Sequence, residues 1–212
     1  MSEKLRQLRS VATKFETREE IREETNDEMH EERVKVKIPH ISGYFATFSD
    51  VYEIAPGLTE SIAPGAFSRT LGGDIRALVN HDTTLVLGRT KAHTLELKED
   101  EHGLWGDITI NPNDVDAMNL YERVKRGDVD QCSFGFEIVS EETEVRPDGS
   151  VHWTLKDVDL FEVSACTFPA YKDTNISARC AERDEIKARE LEAWKNKMKE
   201  AVKHGSQDPA DA

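Results

Sequence analysis

Residues 131–139 read QCSFGFEIV, and their alternation decides how the chain is read. In an extended strand, side chains point to opposite faces in turn. Cys132, Phe134, Phe136 and Ile138 therefore share one face, and Gln131, Ser133, Gly135 and Glu137 share the other. The aromatic face anchors a strand in a core, leaving the Ser133 hydroxyl aimed at the opposite side. Gly135 has no side chain there, which leaves room for a substrate backbone to approach.

Strand signals continue on both sides. VKVKI at 34–38 alternates strictly, and GYFATF (43–48) and VYEI (51–54) add aromatic and β-branched residues. Two Pro-Gly steps break APGLTESIAPGAFSRTLGG, and AFSRTL (66–71) is expected as a short helix ended by Gly72-Gly73. IRALVNH and LVLGRT read as strands around His81-Asp82. HTLELKED and LWGDITI read as a hairpin around Gly103. NPND at 111–114 signals a helix start, and VDAMNLYERVKRGD carries apolar residues near helical spacing. Many strands, one central helix and no regular βαβ alternation predict a mainly β, α+β fold: a barrel or sandwich with added helices.

Three regions are expected: a charged helical arm at 1–33, a folded domain at 34–180, and a charged helix with a polar tail at 181–212. The arm reading rests on Glu and Arg recurring three and four residues apart in REEIREETNDEMHEER. The N-terminal stretch has no apolar core or small-residue cleavage site, so no secretory signal is expected, and no run is apolar enough to span a membrane. Forty-two acidic against 28 basic residues give a net charge of −14, which repels phosphate backbones and argues against nucleic acid as a partner. Cys132, Cys166 and Cys180 are widely spaced, with no C-x-x-C pair, and fit neither a disulfide framework nor a zinc site.

His81 ends an apolar strand at a polar break, where a histidine is both fixed and reachable for proton transfer. Asp82 reads as a turn residue. Glu162, in VDLFEVSAC, is flanked by apolar residues on both faces, and a buried carboxylate needs a partner. That partner is either a catalytic imidazole or an arginine such as Arg89 or Arg76; Asp159 and Asp157 are the next acids in line. Cys132 turns into the core with the phenylalanines, where a thiol is inert. His93 and His102 have no ligand-spaced partner, and no metal or cofactor is expected. Trp105 and Trp153 read as packing residues. The G-x-S-x-G elbow of α/β-hydrolases is absent.

Five segments in order, GYFATFSDVYEIAPGLTESIAPGAFSRTL, LVNHDTTLVLGRT, EHGLWGDITI, RVKRGDVDQCSFGFEIV and LFEVSACTFPAY, resemble the prohead protease family of tailed bacteriophages. The resemblance implies a fold like that of herpesvirus assemblin, an antiparallel β-barrel surrounded by helices and often dimeric. It implies a serine endopeptidase that removes the scaffolding segment of the major capsid protein inside the assembling procapsid, in the cytoplasm of a bacterial host, and then cleaves itself. The family serine falls on Ser133 and the family histidine on His81. The third member, a carboxylate in the phage branch, falls on Glu162. Two other readings remain open from the residues: a catalytically silent protease-like scaffold, and a hydrolase of small esters or amides.

Overall fold

The computed structural model describes residues 6–25, 33–168 and 173–205. These contain strands β1 (Gln7–Ala12), β2 (Glu16–Thr25), β3 (Arg33–Thr47), β4 (Val51–Ala55), β5 (Leu58–Ile62), β6 (Arg76–Val79), β7 (Asp82–Arg89), β8 (Leu95–Glu99), β9 (Gly103–Thr109), β10 (Gln131–Val145) and β11 (Val151–Cys166), with helices α1 (Val115–Arg126) and α2 (Asp173–Gly205). The α+β class read from the sequence holds.

The long hairpin of β10 and β11 is the spine. Its antiparallel ladder runs from Gln131–Cys166 to Val145–Val151. On the far side of β10 lies β1, antiparallel, with Ser10 opposite Ser133. On the far side of β11 two strands run parallel to it end to end: β5 along Val151–Leu155 and β6 along Glu162–Ala165. β4 and β7 complete this sheet. The second sheet has the order β2-β3-β9-β8 and is antiparallel throughout.

The core lies between these layers. Ile41, Phe45, Leu104 and Ile108 of the second sheet meet Phe134, Phe136, Val158 and Val163 of the spine. The alternation of QCSFGFEIV is thereby explained, since Phe134 and Phe136 are fully buried and stack at 5.1 Å. Helix α1 adds Ala117, Leu120, Tyr121 and Val124, a single face at helical spacing. Asp114 caps it by accepting from the amides of Asp116 and Ala117, and Gly127 ends it at φ 86°.

Three expectations are corrected. The charged segment before residue 33 is not a helix where it is described: residues 7–12 and 16–25 are strands. Charges alternating along ETREEIREET also suit a ladder, and β3 supplies both the backbone partners and a cross-strand ion pair, Lys37 to Glu19 at 2.8 Å. Tertiary pairing thus overrides local helix preference. The acidic stretch 26–32 lies outside the described residues. Second, among the described residues the strands form no closed antiparallel barrel. They form two separate sheets, and β11 takes two parallel neighbours because the chain returns to it twice from the same direction. Third, AFSRTL is a run of turns rather than a helix. Glu99 accepts from the amides of Gly65 and Phe67, fixing the loop from outside and seating Ala66 and Phe67 in the core. The expected C-terminal helix is present and begins earlier, at Asp173; the end of the polar tail, 206–212, lies outside the described residues.

Candidate active site

Two strands and one turn build the site. Directly opposed residues on neighbouring strands point to the same face. Ser10 on β1, Ser133 on β10 and Ser164 on β11 therefore form one row of three hydroxyls. One step along the face, Glu162 of β11 lies opposite Gly135 of β10.

The histidine arrives from the other side of β11. β6 and β7 are joined by Asn80 and His81 alone, and both have positive φ, 49° and 62°. A two-residue hairpin of the I′ kind demands this at both positions, and asparagine and histidine tolerate it better than bulkier residues. The turn is pinned to the end of β11: the Asn80 amide donates to the Ala165 carbonyl at 3.0 Å, and the Thr167 amide donates to Asn80 Oδ1 at 2.8 Å. The His81 amide donates to Ser164 Oγ at 3.2 Å. Asp82, expected as a turn residue, is instead the first residue of β7, just past the turn, and its Oδ1 accepts from the amide and hydroxyl of Thr84.

The His81 imidazole then meets Glu162, with Nδ1 2.7 Å from Oε1. A carboxylate only accepts, so Nδ1 carries the proton and, in the neutral ring, Nε2 presents a lone pair. Ser164 Oγ donates to the other oxygen, Oε2, at 2.6 Å. Both oxygens of a nearly buried carboxylate are thus satisfied. The arginines that competed for Glu162 are engaged elsewhere, for Arg89 pairs with Asp74 at 2.6 Å and Arg76 reaches Asp74 at 3.4 Å. Asp157 and Asp159, the alternative acids, both bind Arg69.

Ser133 is placed on the right face but is not joined to His81 by a hydrogen bond. It is 0% exposed, and its Oγ donates to the Arg9 carbonyl on β1 at 2.8 Å. The strand edge beside it is covered by β1. The gap at Gly135 is also filled, by the Glu162 carboxylate rather than by a substrate backbone.

Around Nε2 of His81 the neighbour is Cys166, whose Sγ is 3.8 Å away. Burial, and then the charge of Glu162, push this thiol up to about 12, so it stays protonated and donates weakly to the ring. Cys132 points into the core as expected. Its thiol is raised further by burial and lies 3.2 Å from the Tyr44 carbonyl.

Among the described residues no three His, Cys, Asp or Glu side chains gather in a way that would hold a metal ion, and no helix is long and apolar enough to cross a membrane. His93 sits at the end of a short 3₁₀ turn, His102 packs edge-on against Tyr44, and Trp153 is fully buried.

Two features escaped sequence reading. Ser164 is two residues from Glu162 on the same face of LFEVSAC, so alternation alone placed it beside the acid. The second is a buried ionic cluster with no local signal. Arg9 on β1 binds both oxygens of Glu60 on β5, at 2.5 and 2.7 Å, and Arg179 of α2 reaches the same carboxylate at 3.0 Å. Arg179 also binds Glu141 and Glu182 and stacks over Trp153 at 4.5 Å.

The sequence model of the caudovirus prohead serine protease family matches residues 24–189, which include His81, Ser133 and Glu162. The prohead protease of Enterobacteria phage HK97 is 28% identical over 156 residues, covering 72% of this chain and 67% of that protein. The capsid assembly protease of bacteriophage T4 superposes with a TM-score of 0.42 at 10% identity, over 75% of this chain and 98% of that one.

Proposed function

The chain belongs to the caudovirus prohead serine protease family, and on that premise we propose that it is a serine endopeptidase of capsid maturation with Ser133 as nucleophile, His81 as general base and Glu162 as the acid that orients the base. The observation that carries the reading is the 2.7 Å contact of His81 Nδ1 with Glu162 on the strand beside Ser133.

The chemistry follows from that pairing. Glu162 holds the tautomer whose Nε2 accepts a proton, and it stabilises the imidazolium that forms. Ser133 turns from the Arg9 carbonyl toward Nε2, gives up its proton and attacks the substrate carbonyl. The tetrahedral intermediate collapses as His81 returns the proton to the leaving amine, breaking the C–N bond and leaving an acyl-serine. Water then attacks the ester, passing a proton through His81 back to Ser133 as the new carboxyl terminus departs.

The proposed substrate is the scaffolding segment of the major capsid protein, with self-cleavage to follow, in a homodimer working within the assembling procapsid of a bacterial host. The net charge of −14 supports a protein rather than a nucleic-acid partner. Coexpression with the cognate capsid protein tests it. Shortening of that protein by the wild type and none by Ser133→Ala is the expected result, and an intact capsid protein with the wild type overturns it. A second reading, a protease-like domain serving only as scaffold, draws support from the full burial of Ser133. The same experiment separates the two.

A further inference from the structure

We infer that residues 7–12 are an intramolecular strap that occupies the peptide-binding edge of the nucleophile strand, and that an extended substrate reaches Ser133 by displacing it. The inference rests on Ser133 being the nucleophile.

The strap runs antiparallel to β10 with an unbroken register from Gln7–Phe136 to Ala12–Gln131, with the Ser10–Ser133 pair inside it. An incoming peptide that extended the sheet at this edge would use the same backbone groups of β10. The Arg9 carbonyl takes the hydroxyl proton that His81 would have to receive. Substrate and strap therefore exclude each other in space and in hydrogen bonding.

A strap held by a ladder alone frays easily, since β1 is an edge strand of six residues. This one is clamped. Val11 is buried in the main core, and the Arg9 guanidinium lies over Phe136 at 5.4 Å while binding Glu60, itself 0% exposed. Removing one partner of a buried ion pair is costly, so the pair sets a barrier to release. Glu60 has a second cation in Arg179, so it keeps a partner when Arg9 leaves. The clamp can open without stranding the carboxylate, the property a reversible strap needs.

The test locks and loosens the strap in the full chain. Ala12 and Gln131 are directly opposed, and opposed residues on antiparallel strands have Cα atoms ~4.5–5.5 Å apart, within a disulfide's reach. Ala12→Cys/Gln131→Cys is treated with a fluorophosphonate probe, and labelling of Ser133 is followed by mass spectrometry. The reduced protein is expected to label like the wild type and the oxidised one roughly tenfold or more slowly, as local opening is abolished. Arg9→Ala, checked for intact folding by its melting curve, is expected to label about tenfold faster than wild type. Equal rates for oxidised and reduced protein overturn the strap, as does an unchanged rate in Arg9→Ala. If capsid protein is cleaved while Ser133 is labelled in none of these forms, the nucleophile assignment falls, and the strap with it.

Discussion

The Glu162 carboxylate lies over Gly135: its Oε1 is 2.5 Å from where a β-carbon on that glycine would stand. The two residues are directly opposed on β10 and β11. Glycine is needed here because the space above its Cα is where the acid that binds His81 rests.

Gly135→Ala should therefore push the carboxylate off His81 while leaving the sheet paired. Turnover is expected to fall at least about tenfold, or ~1.4 kcal/mol in the barrier. The melting temperature should change little. Wild-type turnover in the alanine variant would mean that Glu162 has no part in the reaction.

Glu162→Gln keeps the shape and removes the charge. With no carboxylate to fix Nδ1–H and stabilise the imidazolium, kcat should drop roughly 10²- to 10⁴-fold. Substrate affinity should stay near wild type. Steady-state kinetics on a capsid-derived peptide, beside a thermal melt, gives both numbers.

Ser164 donates to Glu162 Oε2 and accepts from the His81 amide, so it ties the Glu162 carboxylate to the backbone of His81. Ser164→Ala should lower kcat by roughly tenfold and cost about 1 kcal/mol, because a partly buried amide loses its acceptor. Ser164→Thr keeps the hydroxyl and should restore most of the rate. Equal rates in the alanine and threonine variants would separate the hydroxyl from catalysis.

Cys166 gives a dependence of stability on pH. Its thiol is raised from 9.0 in the unfolded chain to about 12 in the fold. Below pH 9 both states are protonated and its contribution is complete. Above pH 9 the unfolded thiol ionises while the folded one does not, so stability declines until about pH 12. Urea midpoints should fall across that window, and Cys166→Ala should flatten the fall. A steeper fall in the variant would contradict this.

The parts of the site carried by strand alternation could be read from the sequence. Phe134 and Phe136 face the core with Ser133 behind them, and Glu162 needs a buried partner, because these follow from a period of two and the cost of an unpaired charge. The parts that depended on distant pairing could not. Nothing local in QLRSVA says that residue 10 lies against residue 133, and the Glu/Arg pattern of 16–25 suits a helix or a ladder until β3 is present to choose. Glu60 lies in LTESI with no lysine or arginine nearer than Arg69, nine residues on; its partners, Arg9 and Arg179, are set by the fold alone. The barrel expectation failed for the same reason, since both parallel neighbours of β11 come from segments far upstream.

The hydrogen bond from Ser133 to Arg9 spans 124 residues, and its direction along the chain matters. A ribosome working at ~5–20 residues per second needs roughly 6–25 s to pass from one to the other. The segment that covers Ser133 is thus synthesised before Ser133 itself, waiting in the nascent chain for the strand it will sit beside. On the proposed reading, a newly made molecule therefore passes through no stage in which Ser133 is present and the segment that covers it is still to be synthesised.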